Sequence, residues 1–387
     1  MFAPLTVSAA ERSTHPSKLT PLSSPLRAEV STPAAIQSLL VNGFTCARES
    51  CVAFGDWFAV PAGAIIQRVN NRWRAVRVTS HSVSLDAASC ESATFCVFVG
   101  LKTHGRHHRS QRPYVLVENS GQWSTLALPL TSIRRALTIN SVACWSVGHC
   151  VMVGFQKALR ARGVDSAALT LNGNHLSVDV ISRSSKARDV SLNSVACMPG
   201  GDCAAVGYTD SSSGGNFRIV ADTFHRGRWT EKVLERAAKS QLDEPKSISC
   251  TATYCVAGGQ WNDQYGDAKP LLVKVMKSIW SVHYLESNRN RQSFVESVSC
   301  SPVLCSALQS SPATCNLLAN AGVSTINRSL SGFGHASWCS RGGFSELACI
   351  RAGCISVSGG FAQEFAIVTN FGGRWRNDSA LNPIGIN

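Results

Sequence analysis

Hydrophobic segments alternate with short polar turns along this chain, and seven of these segments end at a cysteine whose partner opens the next segment. The seven pairs are Cys46/Cys51, Cys90/Cys96, Cys144/Cys150, Cys197/Cys203, Cys250/Cys255, Cys300/Cys305 and Cys349/Cys354. The first cysteines of successive pairs are 44, 54, 53, 53, 50 and 49 residues apart. A repeat of this length in sequence typical of strands predicts a ring of similar β units.

The repeat around Cys250 shows the four strands of one unit. Residues 247–250, 255–258, 270–275 and 280–284 each have the short apolar or alternating pattern of a strand. Four short antiparallel strands in each of seven units predict an all-β protein, a seven-bladed β-propeller over residues 36–387. One disulfide is expected at a hairpin of each blade.

Two further residue types recur in most units. A tryptophan follows the last turn, as in Trp123 and Trp229, and we interpret it as a core residue between neighbouring blades. In the third unit His175 stands where this tryptophan is expected. A glycine follows the second strand, as in Gly100, and we interpret it as the end of that strand.

The cysteines indicate the compartment. All sixteen can be placed in pairs, which is typical of an extracellular or cell-surface protein that folds in an oxidising environment. Structural zinc is the alternative, but zinc ligands are usually clustered in sequence, and no histidine recurs at a fixed offset here. We therefore predict disulfides, with no metal and no cofactor. Cys315 and Cys339 remain, in a sixth unit that lacks the tryptophan, and are predicted to bridge.

The first 35 residues differ from the repeats. Residues 11–35 are rich in Ser, Thr and Pro, which predicts a flexible leader. Residues 1–10 have neither the basic start nor the full apolar core of a signal peptide, so we interpret them as the remnant of a truncated one. No stretch reaches the roughly 18 apolar residues that a membrane span requires. We expect a monomer.

The charge of the chain bears on its partners. It has 37 basic and 24 acidic residues, a net charge of +13, which favours an anionic polysaccharide or cell-wall polymer as partner. A basic secreted protein without a specific anionic partner, or one that binds a protein, fits equally well. Nucleic acid is disfavoured, because aromatic residues do not interleave with the basic loops as single-strand binding requires.

Strand parity distinguishes two faces of the predicted propeller. The turns between paired cysteines and the turns before tryptophan open on one face, which we call the disulfide-turn face. The loops after each second strand open on the other, the long-loop face, and include residues 101–112, 155–165, 208–217 and 259–269. Binding residues are commonly found on variable loops of a rigid scaffold, so the long-loop face is the predicted binding face.

Two of these loops supply candidate binding residues. The first contains His104, Arg106, His107, His108 and Arg109, and the second contains Trp261, Asn262, Asp263, Tyr265 and Asp267. The basic loop would contact an anion, or is simply solvated. In the second loop, aromatic rings beside amides and carboxylates suit a sugar, and its aspartates could bind calcium. The alternative is a loop folded on its own tryptophan.

Residues 194–197, 203–207 and 297–300 resemble the cysteine-bearing β-propeller repeats of secreted, mostly actinobacterial proteins. The resemblance spans nearly the whole chain and implies a propeller distantly similar to the sialidase-like and Kelch-like groups. It implies no catalytic residue.

Two hypotheses about function follow. The first is a non-enzymatic binding propeller that recognises a glycan, an anionic polymer or a protein through the long-loop face. The alternative is a sialidase-like glycoside hydrolase, which needs an arginine cluster, an acid and usually a tyrosine nucleophile. Tyr208 and Tyr265 fall on the long-loop face, but no acid–arginine set can be assigned around them.

Overall fold

A computed structural model describes residues 13–16, 19–21, 39–47, 50–57, 62–69, 72–79, 82–104, 110–128, 137–157, 163–173, 175–182, 188–211, 217–235, 240–285, 292–301, 305–311, 314–319, 326–329, 344–350, 353–358, 366–371 and 376–377. Within these ranges all regular elements are β-strands, and no helix is long and apolar enough to cross a membrane.

From residue 39 onwards the strands form antiparallel sheets of four consecutive strands each, and two short strands from residues 13–21 are added to two of these sheets. The first consists of β3 (Leu39–Ala47), β4 (Ser50–Trp57), β5 (Gly63–Val69) and β6 (Arg72–Val78). The second consists of β7 (Val83–Ser92), β8 (Phe95–His104), β9 (Ser110–Asn119) and β10 (Gln122–Leu126). The third consists of β11 (Leu137–Ser146), β12 (His149–Lys157), β13 (Val164–Asn172) and β14 (His175–Ser182).

The remaining sheets follow the same order. The fourth consists of β15 (Arg188–Cys197), β16 (Cys203–Ser211), β17 (Arg218–His225) and β18 (Arg228–Val233). The fifth consists of β19 (Leu242–Cys250), β20 (Cys255–Asn262), β21 (Ala268–Met276) and β22 (Ile279–Tyr284). The sixth consists of β23 (Phe294–Cys300), β24 (Cys305–Ser311), β25 (Thr314–Ala319) and β26 (Ile326–Ser329). The last consists of β27 (Phe344–Ile350), β28 (Gly353–Ser358), β29 (Ala366–Phe371) and the two-residue β30 (Arg376–Asn377).

Burial along the strands shows how the sheets stack. The second strands β12, β16 and β20 each contain five consecutive buried residues that start at a cysteine. Such continuous burial requires apolar cover on both faces of a sheet, and neighbouring sheets supply it. The outer strands β18 and β22 instead alternate between exposed and half-buried residues. Apolar clusters therefore lie between sheets.

The predicted disulfides at the hairpins are confirmed for six pairs. Each joins residues directly opposite in the first two strands of a sheet, with Cα atoms 3.9 to 4.1 Å apart. The six pairs are Cys46/Cys51, Cys90/Cys96, Cys144/Cys150, Cys197/Cys203, Cys250/Cys255 and Cys300/Cys305.

The second cysteine of each of these pairs is buried, although the pairs stand beside exposed turns. Cys51 and Cys150 are 0% exposed and Cys96 is 4% exposed. Each belongs to an apolar cluster between sheets. Burial therefore makes these cysteines part of the core rather than of a surface that could contact a ligand.

Two disulfides are less fully described. Cys349 is also disulfide-bonded, and Cys354 is its register partner. The predicted bridge between Cys315 and Cys339 lies outside the described residues, since Cys339 and the side chain of Cys315 are not described.

The recurring tryptophans pack between sheets, as predicted. Those whose side chains can be placed in the inter-sheet clusters are Trp123, Trp229 and Trp280. The register corrects the interpretation of the third unit, however. Trp229 lies opposite Phe224, and the corresponding position of the third sheet is occupied by Leu176. His175 lies one position earlier, opposite Asn172, because Gly173 is the first residue of its turn, whereas Gly227 is the second residue of the turn before Trp229.

The first strand of each sheet lines one cavity of about 620 Å³, which we call the channel. Each of these strands has a β-bulge, and the extra residue always lies four positions before the cysteine. These residues are Asn42, Asp86, Asn140, Asn193, Lys246, Glu296 and Ser345. The first six line the channel. Because a bulge adds one unpaired residue to a strand, it turns a polar side chain into the channel without shifting the apolar positions.

The bulges also explain the recurring glycines, which are not strand ends as interpreted above. Strands β8, β12, β16 and β20 continue beyond Gly100, Gly154, Gly207 and Gly259. A Cβ atom on any of these glycines would lie 1.9 to 2.1 Å from a backbone carbonyl oxygen of the bulged strand opposite. Only glycine allows the two backbones to approach so closely.

Serine hydroxyls connect the first strands of neighbouring sheets. Those of Ser141, Ser194, Ser247 and Ser297 accept hydrogen bonds of 3.1 to 3.2 Å from the N–H groups of Val195, Ile248, Val298 and Leu347. Each serine lies three positions before the first cysteine of its pair. The hydroxyl satisfies a backbone donor one repeat away, so the ladder orders consecutive sheets from the third to the last.

Two short strands lie within the segment predicted as a leader. β1 (Ser13–Pro16) pairs with the outer edge strand β14, and β2 (Leu19–Pro21) pairs with the outer edge strand β10. The assignment of residues 1–35 to a separate leader stays a prediction.

Candidate functional site

The end of β20 and the loop that follows it hold five candidate residues, and Asp263 organises the loop. Its Oδ1 accepts hydrogen bonds from the backbone N–H groups of Tyr265 at 2.9 Å and of Asp267 at 3.1 Å. The N–H group of Gly266 donates to the carbonyl of Asp263 at 3.0 Å. An aspartate that accepts bonds from the backbone ahead of it is typical of an Asx-turn.

Lys269 engages the other oxygen of Asp263. Its Nζ lies 3.8 Å from Oδ2, and the two side chains are only 8% and 17% exposed. Both carboxylate oxygens are therefore used within the loop. This arrangement favours a structural role for Asp263 over that of a calcium ligand, and it fixes the loop backbone.

The aromatic residues of the loop have different environments. Trp261 is half-buried, its ring meets that of Tyr284 edge to face at 5.3 Å, and its N–H donates to the carbonyl of Leu285 at 3.4 Å. Tyr265 is 81% exposed, the largest exposed fraction among the described large hydrophobic side chains. Asn262 Oδ1 is buried without a hydrogen-bond partner. The loop thus folds on Trp261 and presents Tyr265 to solvent.

Tyr208, the other tyrosine of this face, lies on β16 with its ring 5.2 Å from that of Phe217. Burial, and then the negative charges of Glu244, Asp210 and Asp189, raise the pKa of Tyr208. The phenol is held in its protonated form. A nucleophilic tyrosine would need the opposite shift, since activation requires easier loss of the proton.

The basic loop is only partly described. His104 ends β8, with its backbone opposite Ser110, and its side chain is not described. Arg106, His107, His108 and Arg109 lie outside the described residues. The hairpin that carries this loop belongs to the second sheet, and the loop with Tyr265 belongs to the fifth, so the fold does not bring the two candidate loops onto neighbouring sheets.

The channel contains polar residues that the sequence analysis missed. The amides of Asn42, Asn140 and Asn193 donate hydrogen bonds of 2.7 to 2.9 Å to carbonyls of the next sheet. Lys246 and Glu296 approach to 3.7 Å. The signal was present in the sequence as a polar residue four positions before each first cysteine. Most of these groups link sheets, so the channel is primarily structural.

In the part of the chain that the structure describes, no three His, Cys, Asp or Glu side chains form a group that could hold a metal ion. The described part of the long-loop face offers a rigid loop with an exposed aromatic ring.

Comparison with known proteins shows the fold. Neither a family model nor a curated protein matches the chain. The β-propeller domain of the Trilobed protease from Pyrococcus furiosus superposes with a TM-score of 0.58 at 9% identity, over 90% of this chain and 99% of that one. YCF48 bound to D1 peptide superposes with a TM-score of 0.51 at 12% identity, over 92% of this chain and 97% of that one. The GH74 xyloglucanase from Xanthomonas campestris superposes with a TM-score of 0.52 at 11% identity, over 92% of this chain and 54% of that one. The chain has a β-propeller architecture, and likeness at these identities shows nothing about activity.

Proposed function

We propose that the protein is a secreted or cell-surface binding propeller without catalytic activity, which recognises its ligand through the long-loop face. A glycan, an anionic polymer or another protein fits its charge and its loops. The observation that carries the proposal is the loop of the fifth sheet, where Asp263 and Lys269 fix the backbone and Tyr265 is 81% exposed. A rigid loop loses little conformational entropy when its exposed ring contacts a ligand.

We also propose that the sheets close into a ring of seven blades. Ala348, on the first strand of the last sheet, is 8% exposed and belongs to one apolar cluster with Val41, Phe44 and Ile66 of the first sheet. Contact between the ends of the repeat array supports closure. The disulfides support an extracellular location, because they persist in oxidising compartments.

Binding of the purified, oxidised chain to a glycan array and to immobilised heparin, at low and at physiological salt, tests the proposed function. Binding to heparin should be strongest at low salt, where screening is weakest. Tyr265→Ala should weaken the observed binding by roughly tenfold, as expected for an exposed aromatic contact residue.

Ile279→Ala is the matched control, because Ile279 is also an exposed apolar residue (72%) but begins β22, next to a turn on the disulfide-turn face. Absence of heparin binding at low salt would exclude an anionic polymer. Binding that Tyr265→Ala leaves unchanged would exclude the loop of the fifth sheet as the contact site.

A further inference from the structure

A cleft of about 840 Å³ lies between the third and fourth sheets, on the disulfide-turn face. It is separate from the channel lined by the first strands and lies opposite the long-loop face. Its volume falls within the range of small-molecule pockets, roughly 300 to 1,000 Å³. Because both sheets present turns here, the cleft is walled by hairpin ends rather than by long loops.

Trp145 forms the aromatic wall of this cleft and is not one of the recurring tryptophans. It follows the first cysteine of the third pair, where the other units have Ala, Glu, Met, Thr, Ser or Ile. Its ring lies 5.9 Å from that of His149 and 6.4 Å from that of Phe224.

Gly201 fixes the position of Trp145. A Cβ atom on Gly201 would lie 3.0 Å from the indole nitrogen, and the glycine has a φ of +87°, which L side chains rarely adopt. The turn of the fourth sheet therefore leaves space for the indole of the third.

Polar groups surround the aromatic wall. Asp202 Oδ1 lies 2.7 Å from His225 Nδ1, and Asn172 and His175 are exposed at the rim. Thr170 also lines the cleft, and its Oγ1 is buried without a hydrogen-bond partner. A buried hydroxyl without a partner is unfavourable, and a ligand hydroxyl in the cleft would satisfy it.

The chemistry of the lining selects among ligands. A metal ion is disfavoured, because the described histidines and aspartates include no metal-binding group of three. The lining holds one carboxylate, Asp202, and one guanidinium, Arg226, so it has no excess of positive charge that would select an anion. A ligand with one flat, weakly polar face and several hydroxyls fits best, since the indole can cover the face while amide, carboxylate and imidazole groups both donate and accept hydrogen bonds.

We propose that this cleft binds a neutral sugar, with one pyranose ring packed against Trp145 and its hydroxyls bonded to Asn172, His175, Asp202 and Thr170. The site is separate from the long-loop face, so the protein would hold a saccharide on one face while the other contacts its partner.

The test measures binding of the oxidised chain to an array of neutral mono- and oligosaccharides, followed by calorimetric titration of the best one. Asn172→Ala and His175→Ala should each weaken binding by roughly five- to tenfold, the loss of one neutral hydrogen bond. Both residues are exposed, so neither change should affect folding. Binding should also quench the tryptophan fluorescence of the wild type, and less so that of Trp145→Phe.

His283→Ala is the matched control, because His283 is an exposed histidine on the corresponding outer strand of the fifth sheet. Failure to bind any neutral saccharide on the array would overturn the proposal, and so would binding that Asn172→Ala and His175→Ala leave unchanged. Sugar binding that is lost in these two variants and kept in Tyr265→Ala would support the cleft while contradicting a glycan site on the long-loop face.

Discussion

Asp222 is 0% exposed in the middle of β17, and neither of its carboxylate oxygens has a hydrogen-bond partner. Its neighbours in the register are Ala205 and Glu231. Burial and the charge of Glu231 raise the pKa of Asp222 well above its ordinary value. The folded chain therefore keeps this proton at pH values where the unfolded chain has released it. Stability from this group is present at low pH and decreases as pH rises through the folded-state pKa.

Asp222→Asn should remove this dependence, because the amide has a similar shape and does not ionise. At pH 8 we expect the variant to have a higher free energy of unfolding than the wild type, by on the order of 1–3 kcal/mol. The difference should shrink towards pH 4. Denaturant unfolding of both proteins across this range measures it, and a difference that stays constant with pH would contradict the raised pKa.

Gly207 and Gly200 differ in whether a side chain can be accommodated. A Cβ atom on Gly207 would lie 1.9 Å from the carbonyl oxygen of Ser191, whereas one on Gly200 would meet nothing within 4 Å. Gly207→Ala should therefore destabilise the protein by about 3 kcal/mol or more, since a backbone atom must move. Gly200→Ala, in the same sheet, should be nearly neutral. Thermal unfolding compares them, and equal melting temperatures would argue against the bulge opposite Gly207.

At the scale of elements, the first strands are held together by side chains of their neighbours. Ser297 is 2% exposed, and its hydroxyl accepts the N–H of Leu347 at 3.2 Å. Neighbouring first strands are not paired directly, so such hydroxyls replace the missing ladder. Removing any one of these hydroxyls leaves a buried backbone N–H group without a hydrogen-bond acceptor.

Ser297→Ala should lower the free energy of unfolding by about 1–3 kcal/mol, the usual effect of an unsatisfied buried donor. Ser281→Ala is the control, because Ser281 is exposed and its hydroxyl contacts only the side chain of His283 among the described contacts. Urea denaturation measures the free energy of unfolding of both variants. A Ser297 variant as stable as the control would show that the ladder contributes little.

For the whole molecule, the contact between the last and first sheets decides whether the array is a ring. Ala348 is buried in the cluster that joins them, together with Val41 and Phe44. A charge there would be desolvated without a partner. A closed chain of 387 residues should have a radius of gyration of roughly 21 Å.

Ala348→Asp should therefore open the ring, with a lower melting temperature and a larger radius of gyration by small-angle X-ray scattering. Ala252→Asp provides the control, since Ala252 is exposed in the turn before Cys255. If Ala348→Asp kept the wild-type radius and stability, closure through this contact would be wrong.

Much of the fold could be predicted because its signals are local. The hairpin of Cys250 and Cys255 is specified by residues a few positions apart in the sequence. The same is true of the alternating polar and apolar residues of β22 and of the paired cysteines in the other repeats. The candidate loop of the fifth sheet was identified for the same reason. The bonds within this loop could not be predicted, because the pairing of Asp263 with Lys269 depends on how the loop folds back.

The amino-acid sequence by itself determined the β repeat, the strands and the disulfide pairs at the hairpins, since each depends on periodicity or on neighbours within one hairpin. Only the tertiary structure decided which polar residues link the sheets, why glycines stand opposite the bulges, and that Trp145 lines a cleft. These features depend on atoms one repeat away in sequence, and sheet stacking alone brings those atoms together.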